Sequence, residues 1–438
     1  MGLLSFDAKP FSSLTVVFLA WKAFLLAIAL GAAVGPDYDT STSIFFEHTY
    51  GSDAKVPMLA SRLTRWDALY FMYASRKGYV YEQQWAFGAA LPTVAQSILR
   101  HFQSWGFVGD GVVEPLLAIA FTHFTHLIAV LSLHKLTTIL FDNKNLAYVA
   151  SLLHIISPAG LFLSAPYSES PFACLSFIGY LLFAQGLQSS STSFSRNIKL
   201  VSAGIVFGIS IPFRTNGLLN GILFAVEAIK CLQTFIRRPG FAVLLTGVAP
   251  VLGGLFVAAG SIVPQAVAWL RYCHWDLAEG ELRPWCSRMI PSIYTFVQED
   301  YWNGGFLKYW TPSHIPLFLL ASPMLAILIK SGVSFLMGSS HGLMPRMSSK
   351  AESHQVFVRT LAAIQLAVAI LAITNFHVQI ITRLSSGYSV WYWWVASCLG
   401  DRKSQARGWA IVVFMVMYGS IQGGLFASFL PQPRFILK

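Results

Sequence analysis

Charged side chains are scarce in this sequence. Asp, Glu, Lys and Arg make up 11% of its 438 residues, whereas 55% are hydrophobic and the mean hydropathy is +0.58. Soluble globular proteins carry about a quarter charged residues, so this chain cannot cover a water-facing surface of its size. The shortage excludes a soluble particle. The 34 Phe and 13 Trp residues are typical of helices in lipid with aromatic belts at the interfaces.

Several chemical signatures are also missing. The sequence has no phosphate-binding Gly-Lys-Ser/Thr motif and no dinucleotide fingerprint, which removes support for soluble nucleotide chemistry. Its eleven His residues form no spaced metal-binding pattern, so we predict no metal site. Five cysteines are too few for a disulfide scaffold. Cys273 and Cys286 share one polar loop, and the sequence leaves open whether they pair or remain free thiols.

The net charge of +11 does not indicate a nucleic-acid partner. The basic residues are scattered through short loops and form no compact basic domain. In a membrane protein, such residues are retained on the cytosolic side, where they also favour anionic lipid. We therefore interpret the charge as topological and expect the membrane itself, not a nucleic acid, to be the partner.

Hydrophobic segments predict an all-α polytopic membrane protein with about ten transmembrane helices. A spanning helix needs about 20 mostly apolar residues. We read spans at 12–34, 115–134, 146–164, 170–188, 198–212, 217–235, 241–270, 314–330, 356–375 and 409–430. Lys22 lies inside the first span and is expected to snorkel or to find an internal polar partner. With no repeat and no soluble domain, residues 1–438 are read as one membrane-embedded domain.

Loop charges set the predicted orientation. With the N-terminus in the cytosol and the spans alternating, most loop Lys and Arg residues fall on the cytosolic side. This alternation also puts the tail residues Arg434 and Lys438 in the cytosol and, against the trend, puts four basic residues in the lumen: Arg383, Arg402, Lys403 and Arg407. Four polar-aromatic segments share the lumenal side: the long first loop 35–114, with interfacial helices, the short turn from Pro166 to Ser170, and the segments 271–313 and 376–408. Such convergence is what a membrane-embedded active site requires.

The first lumenal loop contains a candidate catalytic carboxylate, Asp67. Leu59, Leu63, Trp66, Tyr70 and Tyr73 recur at helical spacing and predict one helix lying in the membrane interface. Asp67 flanks this apolar stripe at the depth of a lipid headgroup. A positioned Asp can accept the proton of a sugar hydroxyl that attacks an anomeric carbon. The alternative is that Asp67 caps a helix or pairs with an Arg.

Two further turns between apolar segments carry charge. Glu169 follows Tyr167 and Ser168 at a predicted helix start, so it is either a second site carboxylate or an ordinary helix cap. Arg214 precedes Thr215 and Asn216 next to a span. Its planar guanidinium suits a phosphate group, although an ion pair with a protein carboxylate explains it equally well.

Aromatic residues alternate with polar donors in the later lumenal segments. Such patterns suit the stacking and hydrogen bonding of a sugar, and they are also typical of an interfacial belt. The segments are Arg283-Pro284-Trp285-Cys286, the run 298–310, and His377 to Gln379 with Trp391 to Trp394.

Taken together in their order along the chain, these motifs resemble those of one family. The resemblance rests on Trp66-Asp67 with Gly78-Tyr79 and Glu82, on Tyr167 to Ser170, on Arg214 to Asn220, on Arg283 to Cys286, on Tyr301 to Trp310, and on His377 to Ile380 with Trp391 to Trp394. From about residue 60 to 395, the chain is similar to the PIG-V type mannosyltransferases of glycosylphosphatidylinositol (GPI) anchor biosynthesis.

The resemblance implies a GT-C type glycosyltransferase of the endoplasmic reticulum membrane with its active site facing the lumen. The implied donor is dolichyl-phosphate mannose, with no further cofactor, and the implied acceptor is the GPI intermediate that carries one mannose. The new bond would be α-1,6, formed by an inverting single displacement. A small accessory membrane subunit is compatible with this assignment.

The resulting hypothesis assigns roles to individual residues, and of these the resemblance itself implies the role of Asp67. Asp67 would be the general base, supported by Glu169 and Glu82, and Arg214 would contact the donor phosphate, with Arg283, Lys308 or Arg383 as alternatives. The remaining predicted substrate-binding residues are Trp66, Asn216, Trp302, Trp310, His377, Gln379, Trp391 and Trp393.

Three other functions compete with this reading. A different glycosyltransferase using a polyprenyl-phosphate sugar would show similar motifs with another acceptor. A proton-coupled transporter would place several carboxylates at mid-membrane, whereas the predicted spans hold almost none. A non-catalytic scaffold would have no need of an Asp at the interface.

Overall fold

The computed structural model describes residues 9–32, 40–106, 111–189, 193–273, 282–338 and 352–428. Helices dominate these residues, and no β-strand occurs among them. Helix α1 comes first, and the long loop after it folds into short helices: α1 (Pro10–Gly31), α2 (Ser41–Tyr50), α3 (Met58–Leu63), α4 (Asp67–Lys77), a 3-10 helix (Glu82–Phe87) and α5 (Ala90–Ser104).

The long helices of the bundle follow. The middle of the chain forms α6 (Glu114–Phe141), α7 (Lys144–Ile155), a 3-10 helix (Gly160–Leu163), α8 (Glu169–Gln188), α9 (Phe194–Ser210), a 3-10 helix (Thr215–Asn220), α10 (Gly221–Arg237) and α11 (Phe241–Tyr272). The last part forms α12 (Ile293–Phe296), a π-helical turn (Val297–Tyr301), α13 (Ile315–Met337) after a 3-10 turn (Pro312–His314), α14 (Glu352–Thr374), a 3-10 turn (Val378–Ile380), α15 (Ile381–Leu384), a 3-10 turn (Ser385–Gly387), α16 (Val390–Gly400) and α17 (Gln405–Ser428).

Most of the predicted spans are present. Within the described residues, eight helices are long and apolar enough to cross a membrane: α1, α6, α8, α10 with its preceding turn, α11, α13 with its preceding turn, α14 and α17. The predicted spans 146–164 and 198–212 form shorter helices, because α7 has 12 residues and α9 has 17. At about 1.5 Å per residue, α7 alone is too short for a hydrocarbon core of about 30 Å.

The prediction of one continuous helix around Asp67 is wrong. The chain leaves the helical conformation between α3 and α4, where Trp66 has φ = 56°. Most side chains avoid this left-handed region because the Cβ atom crowds the backbone. The stripe from Leu59 to Tyr73 is therefore divided between two helices, and the break makes Asp67 the first residue of α4.

Helix α16 changes the predicted orientation of the last part of the chain. Trp393 of α16 donates its indole N–H to Thr137 Oγ1 at 2.8 Å, and its ring lies 5.1 Å from that of Phe141. Both partners lie near the end of α6, whereas Glu114 at the start of α6 pairs with Arg76 of α4 at 2.7 Å. We call the end of the bundle that holds α2 to α5 the loop end. Helix α16 carries the chain away from it.

Helix α17 then returns to the loop end, where Ala427 O accepts a hydrogen bond from Arg62 Nη1 at 3.4 Å. The prediction that Arg402, Lys403 and Arg407 share the side of the first loop is therefore wrong. They lie at the opposite end, which removes their conflict with the positive-inside tendency. Only the first part of the segment 376–408 belongs to the loop end. Arg434 and Lys438 lie outside the described residues.

Polar contacts inside the bundle fix the position of residues 163–164, which lie just before Glu169. Lys22 of α1 is buried and donates from Nζ to Leu163 O and to Ser164 Oγ, both at 2.8 Å. The internal polar partner expected for Lys22 is thus present. Thr122 of α6 also donates to Ser164 O at 3.1 Å. These bonds fix the chain shortly before Glu169, which begins α8.

Candidate active site

Asp67 begins α4 at the loop end. As the first residue of an 11-residue helix, its carboxylate lies where the helix dipole favours negative charge. The side chain is 31% exposed, and Oδ2 accepts a hydrogen bond from Arg383 Nη1 at 2.8 Å. Asp67 therefore combines access from outside the protein with a fixed cationic partner. The interpretation that Asp67 pairs with an Arg is confirmed as geometry.

Glu169 connects Arg383 to Arg214. Its Oε1 accepts from Arg383 Nε at 2.7 Å and from Arg214 Nη1 at 2.8 Å, and its side chain is only 1% exposed. The ion pair with a protein carboxylate that was one alternative for Arg214 is therefore present. Residues far apart in sequence meet here because α8, the turn after α9 and α15 all have an end at this place. We call Asp67, Glu169, Arg214 and Arg383 the charged network.

Arg383 is the centre of the charged network. Burial opposes its charge, but the carboxylates of Glu169 and Asp67 outweigh this effect and raise the pKa of Arg383 above its usual value. The guanidinium also lies 4.5 Å from the ring centroid of Phe162 and 4.8 Å from that of Tyr167, where cation–π attraction favours the positive form. Arg383 was predicted only as an alternative phosphate contact, whereas the structure places it between both carboxylates.

The charged network is electrically balanced and retains binding capacity. Two carboxylates face two guanidinium groups, so their formal charges cancel. Glu169 Oε2 and Arg214 Nε are buried and have no hydrogen-bond partner within the described part of the chain. Buried polar atoms without a partner are uncommon and call for an explanation. An incoming anionic group can exchange with a carboxylate for these arginines without a change in their number of bonds.

A group of aromatic residues lies beside Asp67. His377 donates from Nε2 to Trp302 O at 2.9 Å, and its ring stacks on that of Tyr309 with centroids 4.7 Å apart. Tyr309 donates to Gln379 Oε1 at 3.0 Å. Burial lowers the pKa of His377, partly opposed by the charge of Asp67. Burial and Asp67 together raise the pKa of Tyr70 to about 12. The negative charge of Asp67 thus affects the pKa of both His377 and Tyr70.

Glu82 has a packing role in this structure. Its carboxylate accepts hydrogen bonds from Trp285 Nε1 and from Tyr301 O–H, and the residue is 7% exposed. It is joined to the 283–301 segment, and no contact in the described residues links it to the charged network. Its predicted part as a supporting acid is therefore not supported by its position.

Trp391 and Trp393 do not line a sugar site. Both are fully buried, and their indole N–H groups donate to Ser385 O at 2.9 Å and to Thr137 Oγ1 at 2.8 Å. A ring without exposed surface cannot stack on a sugar, so their prediction as substrate-binding residues is corrected to core packing. The aromatic run that suggested a sugar site is the interior of α16.

The remaining predicted residues fall into two groups. Trp66 is half-buried with its ring 6.3 Å from Phe162, and Asn216 donates to Tyr388 O–H at 2.7 Å, so both border the charged network. The exposed residues Arg283, Lys308 and Trp310 lie on the 282–314 segment, and Trp310 donates to Ile373 O at 2.7 Å. Neither Arg283 nor Lys308 makes an ion pair with a described carboxylate.

Sequence reasoning missed Tyr167 and Phe162 as partners of Arg383. Tyr167 is fully buried and donates to Arg65 O at 2.8 Å, which also ties it to the break before Asp67. Its position two residues before Glu169 was a usable signal. Phe162 gave none, because one Phe in an apolar segment is indistinguishable from its neighbours. In the described residues, no three His, Cys, Asp or Glu side chains gather as a metal site.

The open question about Cys273 and Cys286 has an answer in the structure, because the two form a disulfide. It ties the end of α11 to the loop that carries Trp285, the partner of Glu82. Cys174, Cys231 and Cys398 are free. Disulfides persist in oxidising compartments, so the disulfide fits a loop end that faces such a compartment.

Comparison with other structures gives a similar overall fold only. The archaeal oligosaccharyltransferase AglB from Archaeoglobus fulgidus, in complex with an inhibitory peptide and a dolichol-phosphate, matches 94% of this chain with a TM-score of 0.49 and 11% identity. The apo form of the Archaeoglobus fulgidus oligosaccharyltransferase matches 99% with a TM-score of 0.48 and 12% identity. This chain spans 57% of each of those chains. We draw no functional argument from this similarity.

Sequence comparison is far stronger. The chain is 56% identical to GPI mannosyltransferase 2 of Gibberella zeae, over 98% of this chain and 100% of the relative. It is 46% identical to GPI mannosyltransferase 2 of Chaetomium globosum, over 96% of both chains. The family model for mannosyltransferase (PIG-V) matches residues 17–433. The chain therefore belongs to the PIG-V mannosyltransferase family.

Proposed function

We propose that this protein adds the second mannose of the GPI anchor, in α-1,6 linkage, by transfer from dolichyl-phosphate mannose to the one-mannose intermediate. The family membership and the relatives named GPI mannosyltransferase 2 support a GPI mannosyltransferase. The observation that carries the mechanism is the charged network, in which Asp67 and two arginines meet at the end of the bundle that holds the first loop.

The two arginines suit the phosphate of a lipid-linked sugar. Arg383 and Arg214 now bond to carboxylates, and a guanidinium fork binds phosphate and carboxylate with the same geometry. A donor phosphate that takes over Arg383 Nη1 would release Asp67 Oδ2. Donor binding would therefore turn an ion-paired Asp67 into a free base, which links the presence of the donor to the chemical step.

The reaction then follows a single displacement. The acceptor hydroxyl attacks the anomeric carbon of mannose, its proton passes to Asp67, and the carbon–oxygen bond to the phosphate breaks. The electron pair of that bond leaves with the lipid phosphate, whose charge Arg383 and Arg214 stabilise as it develops. One base on the attacking side and cations on the leaving side are what inversion requires.

The loop end would face the lumen of the endoplasmic reticulum. Two observations support this orientation: the Cys273–Cys286 disulfide at the loop end, and the basic residues Arg402 and Lys403 at the opposite end. Lys and Arg in short loops favour the cytosolic side, whereas disulfides favour an oxidising lumen.

Substitution Asp67→Asn tests this proposal. We would express each variant in cells that lack their own second GPI mannosyltransferase, and score surface GPI-anchored proteins and the accumulated glycolipid at equal protein levels. Wild type should restore the anchors. Asp67→Asn should lower transfer by about 100- to 10,000-fold, the range for loss of a general base, and the one-mannose intermediate should accumulate.

Asp53→Asn is the matched control. Asp53 is exposed in a turn of the same loop, so the same chemical change there should leave transfer intact. If Asp67→Asn restores anchors as well as wild type does, Asp67 is not the base. If wild type itself restores nothing and the glycolipid pattern stays unchanged, the assigned acceptor is wrong, and another polyprenyl-phosphate glycosyltransferase becomes the better reading.

A further inference from the structure

A cleft next to the charged network is not used by the proposed mechanism. It lies where the segment before α5, the turn after α9 and the C-terminal half of α11 meet, and it is partly open to the outside. Trp85 is on its wall, so we call it the Trp85 cleft.

A close backbone contact forms one wall of the Trp85 cleft. Gly88 has φ = +81°, and a Cβ atom there would stand only 2.3 Å from Pro212 O. Ala90 N donates to the same oxygen at 3.2 Å. Only glycine permits this approach without strain. The contact fastens the first loop to the turn that begins at Ile211 and leads to Arg214, so the cleft and the charged network share one piece of backbone.

The lining of the Trp85 cleft offers hydrogen bonds that no described residue uses. Trp85 Nε1 is buried and has no partner in the described chain. Gln265 Oε1 accepts from Ser292 Oγ at 3.2 Å and Tyr294 N at 3.4 Å, which leaves its amide N–H groups without a described partner. Thr215 contributes a hydroxyl to the lining. These are donors without acceptors in a part-enclosed space.

Helix α11 supplies an acceptor to the same space. Pro264 lies inside this helix and has no N–H to donate to the carbonyl four residues earlier. That carbonyl belongs to Gly260, which lines the cleft together with Ser261 and Pro264. Gln265 follows on the same helix. The proline therefore leaves the carbonyl of a lining residue without its usual helical donor.

The chemistry of the lining selects the kind of ligand. Three aromatic rings, those of Tyr79, Trp85 and Tyr294, stand among the uncharged polar groups, and none of the lining residues is charged. A phosphate would need cations, which the cleft lacks, and a polyprenyl chain would leave the donors unpaired at a cost. Flat apolar faces with uncharged donors and an acceptor match a neutral sugar ring.

We propose that the Trp85 cleft binds a sugar ring of the acceptor headgroup and so positions the attacking hydroxyl beside Asp67. This inference rests on the proposed function. Thr215 of the cleft directly follows Arg214 of the charged network, so the two sites share one stretch of backbone. The donor sugar stays attached to its phosphate at the arginines, which leaves the neighbouring uncharged cleft for the acceptor.

Kinetics on the full-length protein in nanodiscs test the assignment. The variants are Trp85→Phe, which keeps an aromatic ring but loses the N–H, and Thr215→Val, which keeps the shape but loses the hydroxyl. Each should raise the KM for a synthetic mannosyl-glucosaminyl-inositol phospholipid by about three- to tenfold, the effect of one hydrogen bond. The KM for dolichyl-phosphate mannose should stay at the wild-type value.

Trp409→Phe is the control, because Trp409 is 57% exposed on α17, and its acceptor KM should not change. A rise in the donor KM, or no rise in the acceptor KM with either variant, overturns the assignment. Because the two variants lie on different elements, the unfolding of one still leaves the other as a test.

A binding measurement separates this inference from the proposed function. The water-soluble mannosyl-glucosaminyl-inositol headgroup is titrated into Asp67→Asn protein without donor, with and without Trp85→Phe. Weaker binding with Trp85→Phe supports the cleft even if wild type transfers no mannose, a result that would contradict only the proposed reaction. Equal binding by both proteins rejects the cleft as a sugar site, whatever the transfer assay shows.

Discussion

At the scale of single residues, the charged network depends on how differently its two carboxylates are exposed. Glu169 is 1% exposed and pairs with both arginines, whereas Asp67 is 31% exposed and pairs with Arg383. Removing one partner of a buried ion pair leaves an uncompensated charge and costs about 3–5 kcal/mol. Solvent reaches Asp67, and Arg383 keeps its bond to Glu169 when Asp67 is changed, so we expect the loss of this pair to cost less, about 1 kcal/mol. Replacing the carboxylate by an amide should therefore change stability much more at Glu169 than at Asp67.

Glu169→Gln is expected to destabilise the protein by about 3–5 kcal/mol, because Arg214 and Arg383 lose their shared anion. Asp67→Asn is expected to cost about 1 kcal/mol or less, although it removes the proposed base. Thermal unfolding of the purified protein in detergent measures both. Melting temperatures that fall equally, or a larger fall for Asp67→Asn, would show that Glu169 is not the structural anchor.

At the scale of elements, the Cys273–Cys286 disulfide stabilises the position of Trp285, which contacts Glu82. Cys286 follows Trp285, which donates to Glu82 in the 3-10 helix after α4. The closed loop has a sequence separation of 13, and for loops near this size a disulfide contributes about 3 kcal/mol. Cys273→Ser with Cys286→Ser should therefore loosen the 283–301 segment and weaken its hold on Glu82.

Counting free thiols tests whether the Cys273–Cys286 disulfide forms, before any activity assay. Under denaturation without reductant, maleimide-polyethylene glycol should add three labels, one for each of Cys174, Cys231 and Cys398. After reduction it should add five, the full cysteine content. Five labels without reductant would mean that the pair is not formed in the cell. The double Ser variant should then show three labels under both conditions.

The elements also show what the sequence could predict. Long apolar runs such as those of α6 and α14 identify themselves by length, because only a helix satisfies its backbone in lipid. Asp67, Glu169 and Arg214 stood out as charges between apolar segments, and all three belong to the charged network. These predictions depended on local composition alone.

The errors came from contacts distant in the sequence. Helix α16 has 11 residues, which is shorter than a spanning helix, so its crossing to the end of α6 was hidden in an apparent lumenal aromatic run. The break at Trp66 is a backbone conformation that side-chain periodicity does not reveal. Arg383 became central through Asp67 and Glu169, which are 316 and 214 residues away, distances that no local pattern covers.

At the scale of the whole molecule, the first described helix begins and the last described helix ends at opposite ends of the bundle. Phe11 at the start of α1 packs against His134 near the end of α6, with ring centroids 5.3 Å apart. Ala427 at the end of α17 contacts Arg62 at the loop end. An odd number of passes follows from α16, and it places the 401–404 turn with the other basic loops on the side away from the charged network.

Glycan mapping decides this orientation. The sequence has no Asn-x-Ser/Thr site of its own, so an inserted site reports without background. One flexible segment with this site is placed after Asp53, after Arg402 and, as a control, after Asn143, all in turns or short loops that tolerate insertion. In endoplasmic reticulum membranes, only the first insertion should gain a glycan that endoglycosidase removes.

A glycan after Arg402 would mean that α16 does not cross the bundle and that the basic turn lies beside the charged network. A glycan after Asn143 and not after Asp53 would invert the whole protein and place the charged network in the cytosol, where the proposed lumenal reaction could not occur.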